Sequence, residues 1–302
     1  MTLVGALIGA LVAGGAFFLL RWVVEARRIA SERGASTPRP RLTPLGLVIG
    51  FVTNFFDTLG IGSFATTTAA FRLLRLVPDE LIPGTLIVGD TLSVLTQAVL
   101  FISVVEVDPL QLTSLIAVCV AGGWLGAGVV TRLSRRAIQL GIGTALIVAA
   151  VFMALGMFRW IPAGGTAHAL TPAAFVIALS VNFVLGALLP LGIGNYAPSL
   201  VMFSLLGMDP RAAFPIMMGS GAFVATIAGV RFLSARRFQQ RAALGLALGG
   251  IPGVMAAVWI VKSLPLEGLR VLVLAVVLYA AATLLRSGIS GGSDAPKSAE
   301  PR

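Results

Sequence analysis

The chain alternates long apolar runs with short polar segments, and a run of about 20 apolar residues spans a bilayer as one α-helix. The first run, residues 3–24, precedes a segment with five arginines and two prolines, residues 25–42. This pattern predicts an extra transmembrane helix over 1–24 and a polar linker over 25–42. It also predicts six further spans, which are roughly 81–105, 110–132, 137–158, 212–233, 242–261 and 269–285.

Glycine pairs interrupt two other apolar segments, and the interruptions repeat each other. Residues 59–65 read Leu-Gly-Ile-Gly-Ser-Phe-Ala, and residues 191–197 read Leu-Gly-Ile-Gly-Asn-Tyr-Ala. At a constant offset of 132, residues 59–89 match residues 191–221 at 11 of 31 positions, prolines and glycines included. The sequence therefore predicts an internal duplication. In the first copy we expect short helices over 45–56 and 63–74 with residues 57–62 unwound, because glycine favours turns over helix.

The distribution of basic residues favours one topology. If both broken elements are re-entrant hairpins, 18 of the 22 Lys and Arg residues lie on the cytoplasmic side. If both are full spans, the division becomes 14 inside and 8 outside. The re-entrant topology gives each copy three crossings, an odd number, so the two copies are inverted with respect to each other. Inverted repeats with broken helices are typical of secondary transporters.

The predicted fold is an all-α polytopic membrane protein with two inverted repeats and an extra N-terminal transmembrane helix. Each repeat comprises a broken re-entrant helix pair and three spans. The first repeat covers residues 43–158 and the second 172–286, joined by an external loop over 159–171 and followed by a disordered tail over 287–302. We expect a multi-pass protein of the cell (inner) membrane with its N-terminus outside and its C-terminus in the cytoplasm.

Composition supports a membrane protein and excludes several other classes. Hydrophobic residues make up 57% of the 302 residues, charged residues 11%, and mean hydropathy is +0.98. The net charge of +10 follows from basic cytoplasmic loops, and no basic stripe with aromatics indicates nucleic-acid binding. One cysteine and one histidine do not make a transition-metal site, and no catalytic constellation or cofactor motif is present. We expect no metal, no cofactor and no enzyme activity.

The glycine motifs are the candidate substrate site. A helix that restarts after a break has N–H groups without intrahelical partners and a positive dipole end, so two such ends would bind an anion. The candidate substrate-binding residues of the two copies are Gly60, Gly62, Ser63, Thr66, Thr67, Gly192, Gly194, Asn195, Tyr196 and Ser199. An alternative is that Ser63 and Asn195 only cap their helices, that the hydroxyls bond backbone carbonyls, and that Tyr196 only packs.

Two acidic residues in apolar segments are candidates for proton coupling. Asp57 and Asp90 occur only in the first copy, and ionisable groups at membrane depth are costly and functional by default. Asp57 alternatively caps the turn that follows it. A charged aspartate beside an anion site opposes binding, whereas a protonated one donates to the anion. Because carboxylates also bind cations, the same two acids are equally compatible with a cation as the substrate.

The second copy resembles the TauE/SafE (sulfite exporter) family of anion permeases. Residues 192–200, Gly-Ile-Gly-Asn-Tyr-Ala-Pro-Ser-Leu, follow the family pattern of glycines and then Pro-x-Leu. The first copy departs from it, with Thr66 in place of the proline, and Ser63 and Asn195 replace a frequent third glycine. The resemblance covers roughly residues 43–285. It implies movement of sulfite, sulfonates or related small organic anions, often outward and without ATP.

The sequence thus predicts a permease for a small anion that lies in a lipid bilayer, exports its substrate and couples to protons. A cation or neutral-solute carrier that uses Asp57 and Asp90 as ligands is one alternative. A membrane scaffold or assembly factor, in which the breaks are purely structural, is another.

Overall fold

The computed structural model describes residues 2–33, 43–125, 135–157, 165–189 and 195–290. The described chain is helical, and five of its helices are long and apolar enough to cross a bilayer: α1, α4, α9, α10 and α11. The helices are α1 (Leu3–Arg33), α2 (Pro44–Thr58), α3 (Ser63–Leu73), α4 (Ile82–Val104), α5 (Pro109–Leu125), α6 (Arg135–Met157), α7 (Pro172–Leu188), α8 (Tyr196–Leu205), α9 (Pro210–Ala235), α10 (Gln240–Ser263) and α11 (Leu266–Ser290).

The first predicted break is confirmed. α2 ends at Thr58 and α3 begins at Ser63, and between them Gly60 and Gly62 have φ angles of +96° and +86°. L-residues with a Cβ rarely adopt such angles, so the two glycines are what allows the chain to turn here. In the second copy, α7 ends at Leu188 and α8 begins at Tyr196, while Gly192 and Gly194 lie outside the described residues.

The two halves also begin alike. α2 starts at Thr43-Pro44 and α7 starts at Thr171-Pro172, and in each case the threonine hydroxyl caps the helix by accepting a hydrogen bond from an N–H of the first turn. The proline that follows is suited to the first helical position because its missing N–H would have no partner there. This shared start lies upstream of the glycine motif and extends the likeness between the halves.

Packing between the halves is reciprocal. α2 packs along α10, and its counterpart α7 packs along α5, which is the counterpart of α10. Two of the remaining large contacts join counterparts directly, α4 with α9 and α6 with α11, and a third joins α4 with α10. Each half therefore supplies half of every main interface. Neither half buries its apolar faces alone.

Polar contacts identify which helix ends lie together at one end of the bundle. Arg236 at the end of α9 bonds Glu25 and Glu32 near the end of α1. Thr85 near the start of α4 accepts a hydrogen bond from the N–H of Gln239, just before α10. The start of α2 lies against α10 near Gly245, and the end of α3 packs into an apolar cluster with the starts of α2 and α4. We call this the arginine-rich end, because most of the described arginines lie in these segments.

A second set of contacts defines the opposite end. Gln111 near the start of α5 exchanges two hydrogen bonds with the backbone of Leu170, just before α7. The N–H of Asp209, between α8 and α9, donates to the carbonyl of Ala167, and Arg211 in the first turn of α9 donates to the carbonyl of Leu264 after α10. The starts of α5, α7 and α9 and the end of α10 therefore lie together.

The extra helix α1 is longer than predicted. It continues to Arg33, nine residues beyond residue 24, so residues 25–33 are helical rather than linker. Its last turns are fixed by Arg236, and Phe18 and Trp22 pack into a cluster with residues of α4, α9 and α10. The helix packs against both halves of the bundle, mainly through α4 and α9.

Glycines at the main interfaces permit close backbone approach. A Cβ on Gly122 would collide with the carbonyl oxygen of Phe183 in α7, and one on Gly249 would collide with that of Leu47 in α2. The collisions are with rigid backbone rather than with movable side chains.

We expect Gly249→Ala to destabilise the protein by about 1–3 kcal/mol, because the added methyl forces α2 and α10 apart. The matched control is Gly141→Ala in α6, where a Cβ would meet nothing within 4 Å. There the substitution should be neutral or stabilise by up to about 1 kcal/mol, since alanine favours helix over glycine. Thermal unfolding of the purified protein in detergent measures both. Equal melting temperatures for the two variants would contradict close packing at Gly249.

Candidate functional site

The most buried polar groups of the first half form one network around the break between α2 and α3. Asp57 and Asp90, the two predicted acids, are each 4% exposed. Asn54, Thr58 and Gln97 are fully buried beside them. Three separate segments therefore contribute to the network: the end of α2, the start of α3 and the middle of α4.

Asp57 binds the start of α3. Its Oδ1 accepts a hydrogen bond of 2.6 Å from the backbone N–H of Ser63, the first residue of that helix. Its Oδ2 accepts one of 3.0 Å from Nε2 of Gln97 on α4. The helix N-terminus that the sequence predicts as an anion site therefore holds an oxyanion group already, and that group belongs to the protein.

Asp90 is held by the same neighbours from the other side. Its Oδ1 accepts a hydrogen bond of 3.0 Å from Nδ2 of Asn54, and its Oδ2 accepts one of 3.2 Å from the hydroxyl of Ser63. Ser63 thus joins the two carboxyls, because its N–H binds Asp57 while its hydroxyl binds Asp90. Ser63 is the first helical residue and Gly62 is the N-cap, so the serine hydroxyl does not cap the helix.

No basic side chain of the described residues bonds either carboxyl. In addition, Oδ1 of Asn54, Oε1 of Gln97 and the hydroxyl of Ser93 are buried and lack a hydrogen-bond partner among the described residues. Buried polar groups without partners are rare and usually mark a functional role. The network therefore offers a carboxyl pair without a basic partner and several free oxygen atoms, an arrangement that accepts a proton or a small cation.

The glycines of the first break have different surroundings. A Cβ on Gly60 would lie 3.1 Å from Cδ1 of Leu200 on α8, so this turn packs against the second half. A Cβ on Gly62 would meet no atom of the described residues within 4 Å. The first break therefore lies at a contact between the halves.

The two threonines of α3 differ from each other. The Thr66 hydroxyl bonds the backbone carbonyls of Gly62 and Ser63, at 3.4 and 3.0 Å, which matches the structural alternative for this residue. Thr67 is fully buried, and its hydroxyl has no partner among the described residues.

The second half brings three predicted residues toward the same region. Asn195 is 2% exposed and Ser199 is fully buried, and neither the Asn195 amide nitrogen nor the Ser199 hydroxyl has a partner within the described ranges. The Tyr196 hydroxyl lies beside Gly221 of α9, and the residue is within electrostatic reach of Asp57 and Asp90. Gly192 and Gly194 fall outside the described residues.

Gln97 is the residue that sequence reasoning missed. It bonds Asp57 and, at 3.0 Å, the hydroxyl of Thr58. The sequence does carry a signal for Gln97, because it is a polar residue inside an apolar span and follows Asp90 by seven residues. Seven residues are about two helical turns, so Gln97 and Asp90 lie on the same face of the helix. Gly250 on α10 also borders the network, since a Cβ there would collide with Ser93 and Asn54. Asn182, the counterpart of Asn54, instead donates to the carbonyl of Leu115 on α5 and serves packing.

Chemically, the site combines groups that bind oxyanions with groups that bind protons. The start of α3 supplies N–H groups and a positive dipole end, and the start of α8 lies across the contact between the halves. The carboxyl pair supplies the titratable groups. No arrangement of nucleophile, base and orienting acid appears among the described residues, and no group of three or more potential metal ligands is found there.

Comparison with known proteins gives one match. The model of a protein family described as sulfite exporter TauE/SafE matches residues 1–153, half of the chain. That stretch includes α1 and the break between α2 and α3, with both acids. No curated protein and no solved structure matches the chain.

We expect Gln97→Leu to destabilise the protein by about 1–3 kcal/mol, because Asp57 and Thr58 each lose a buried hydrogen bond. The control is Ser103→Ala, farther along α4, where the hydroxyl is exposed and bonds only the carbonyl of Val99 in its own helix. There the expected change is within about 0.5 kcal/mol. Chemical unfolding in detergent measures both. A Gln97→Leu protein as stable as the control would show that Gln97 does not support Asp57.

Proposed function

The chain belongs to the sulfite exporter TauE/SafE family of membrane transporters, and we propose that it is a secondary permease that exports a small oxyanion coupled to protons. Sulfite, a sulfonate or a related organic oxyanion is the proposed substrate class. The family is one of transporters and not of enzymes. One observation carries the proposal: the N–H of Ser63 at the start of α3 holds a carboxylate in the interior of the bundle.

We propose that the two halves are inverted repeats with re-entrant helix pairs. The contacts at the two ends of the bundle support this. α2 starts and α3 ends near the arginine-rich end, whereas α7 starts and the segment after α8 lies at the opposite end. The first pair then enters from one side and the second pair from the other, so their breaks meet between the halves. Alternating access between such repeats is a common transport mechanism.

The proposed orientation follows from charge. The arginine-rich end should face the cytoplasm of a cell with an inner membrane, since basic residues concentrate on that side. The N-terminus is then outside and the C-terminus inside. The boundaries 43–158 and 172–286 remain our proposed repeat limits, and their equivalent capped starts at Thr43 and Thr171 support them.

The bond between Asp57 and Ser63 shows what chemistry the helix end favours. A carboxylate and a sulfonate present the same feature to an N–H donor, a negatively charged oxygen. The carboxylate of Asp57 therefore competes with a substrate anion for the start of α3. An incoming anion and a charged Asp57 also repel each other in a medium of low dielectric.

Protonation resolves this competition. A protonated Asp57 loses its charge, binds the N–H of Ser63 more weakly and no longer repels an anion, so proton and anion binding favour each other. Asp90 is linked to Asp57 through Ser63 and would share the proton. An outward gradient of the accumulated anion would then carry protons with it.

The substrate would also contact the second half. Asn195 and Ser199 have a free buried amide and hydroxyl, and Tyr196 contributes a further hydroxyl near the acids. Thr67 offers a free hydroxyl from α3, while Thr66 is engaged with backbone. We propose that Gly60, Gly62, Gly192 and Gly194 admit the anion to both helix ends. Ser63 and Asn195 flank it.

A second candidate function is a carrier for a monovalent cation. The free oxygens of Asn54 and Gln97 beside two carboxyls favour it, since carboxylate and amide oxygens bind hard cations. Uptake of sodium by vesicles without any anion requirement would support this candidate. Anion flux that is independent of sodium would exclude it.

We expect purified protein in liposomes loaded with sulfoacetate to release it several times faster than protein-free liposomes. Release should be faster at pH 6 than at pH 8, because acid favours protonated Asp57. The interior should become alkaline as protons leave with the anion. Radiolabelled efflux and an internal pH dye measure the two quantities. No flux of sulfoacetate or sulfite at any pH would contradict the proposed function.

We expect Asp57→Asn to bind sulfoacetate at pH 8 about tenfold more tightly than the wild type, a difference of about 1.4 kcal/mol. The neutral amide cannot compete as an anion, and the affinity should depend less on pH, because Asp90 is then the remaining acid of the pair. The matched control is Asp79→Asn, at an exposed aspartate that pairs only with Arg72. It should keep the wild-type profile. A wild-type pH profile in the Asp57 variant would contradict the competition.

A further inference from the structure

A pocket of about 300 Å³ opens at the opposite end of the bundle, away from the arginine-rich end. The ends of α4 and α10, the start of α9 and the segment around His168 line it. It is separate from the buried acids and contains none of the residues of that site. On the proposed orientation it faces the outside of the cell.

The pocket contains two permanent cations with unused hydrogen-bond donors. Nε of Arg211 is buried and has no partner among the described residues, although another nitrogen of its guanidinium donates to Leu264. Lys262 is exposed, and its ammonium has no partner among the described residues. Arginine and lysine N–H groups bind oxyanions through charge-assisted hydrogen bonds.

Two acidic side chains, Asp209 and Glu106, also line the pocket, so its formal charges balance, and any preference for an anion depends on which donors are free. Asp209 is 8% exposed, and its Oδ1 accepts the N–H of Arg211 at the start of α9, while its Oδ2 is 4.0 Å from Nη1 of Arg211. Glu106 is exposed at the rim, and its backbone carbonyl lies 3.3 Å from Nδ1 of His168. The free donors therefore belong to Arg211 and Lys262, and Glu106 moderates the affinity for an anion.

The inner wall of the pocket connects it to the transport site. Phe101 lines the pocket and stacks on Phe214 of α9 with ring centroids 4.9 Å apart, and both rings are 1% exposed. Phe101 lies four residues from Gln97, which bonds Asp57. Four residues are about 6 Å along a helix, so Phe101 lies about one helical turn from the residue that bonds Asp57.

We propose that this pocket is an outer binding station for a small oxyanion, with Arg211 and Lys262 as its ligands and the Phe101–Phe214 pair as the barrier beneath it. The ligand class rests on the proposed function, while the pocket and its charges do not. A station of moderate affinity suits a permease, because an anion must leave it as readily as it enters. The stacked rings keep it apart from the acids in this conformation.

The test measures the electrostatic preference of the pocket by thiol labelling, which does not require transport. The background is Cys119→Ala, which removes the single, buried thiol. A cysteine is introduced either at Val104, which lines the pocket, or at the neighbouring exposed Ser103, which does not. The test compares two methanethiosulfonate reagents, the anionic ethylsulfonate and the cationic ethyltrimethylammonium. Their rates of modification are measured at about 0.15 M salt, where the screening length is about 8 Å.

At Val104→Cys the anionic reagent should be favoured, and Arg211→Gln with Lys262→Gln should lower the anionic-to-cationic ratio by at least about fivefold, since one close charge contact in water already changes the rate of one reagent by that factor. The ratio at Ser103→Cys should change by less than about twofold, because screening weakens more distant charges. Excess methanesulfonate should slow labelling at Val104→Cys only. If the double variant does not fold, Lys262→Gln alone carries the test, since its side chain is exposed.

Arg72→Gln with Arg75→Gln, at the arginine-rich end, is the matched control and should leave both ratios unchanged. Equal changes at Val104→Cys and Ser103→Cys would indicate a general surface field and overturn the proposal. No change at Val104→Cys would overturn it as well. Because labelling is independent of flux, either result stands whether or not the protein transports sulfoacetate.

Discussion

Two carboxyl groups buried without a basic partner are the constraint around which this structure is arranged. Charged groups in an apolar interior are costly unless hydrogen bonds or opposite charges stabilise them. Here the stabilisation comes from one helix end and three polar side chains: the N–H and hydroxyl of Ser63, the amide of Asn54 and the amide of Gln97. All of these donors are neutral. The carboxyls therefore remain responsive to a proton, a cation or a competing anion.

The network requires the interlocked packing of the two halves. α2 carries Asn54 and Asp57, yet α2 packs on α10 of the second half rather than within its own half. Gly250 on α10 has no side chain where Asn54 and Ser93 meet, and Gly249 allows the backbones of α2 and α10 to approach. The glycines that bring the helices together thus also create the space for the polar network. At this interface the same glycines therefore determine both the helix packing and the space for the polar network.

The halves share a framework and differ in chemistry. Both begin with a capped Thr-Pro start, and both resume with a short helix that carries hydroxyl or amide groups. The acid pair beside the break belongs to the first half, and within the described residues only the first half has a side chain bound to the restarting helix end. In the second half, the polar groups of Asn195 and Ser199 are buried and free. The two halves therefore differ in their polar groups, with a hydrogen-bonded carboxyl pair in the first half and buried polar groups without partners among the described residues in the second.

The sequence by itself determined the membrane class, the position of the first break and the two acids. These follow from local properties: the length of apolar runs, the positive φ that glycine permits at 60 and 62, and the cost of an acid in an apolar span. The tertiary structure alone decided which groups face Asp57 and Asp90. Their partners lie 27 to 40 residues away along the chain, apart from the Ser63 N–H, so they depend on how α2 and α4 are rotated against each other. That rotation is set by packing against the second half, and no local pattern encodes it.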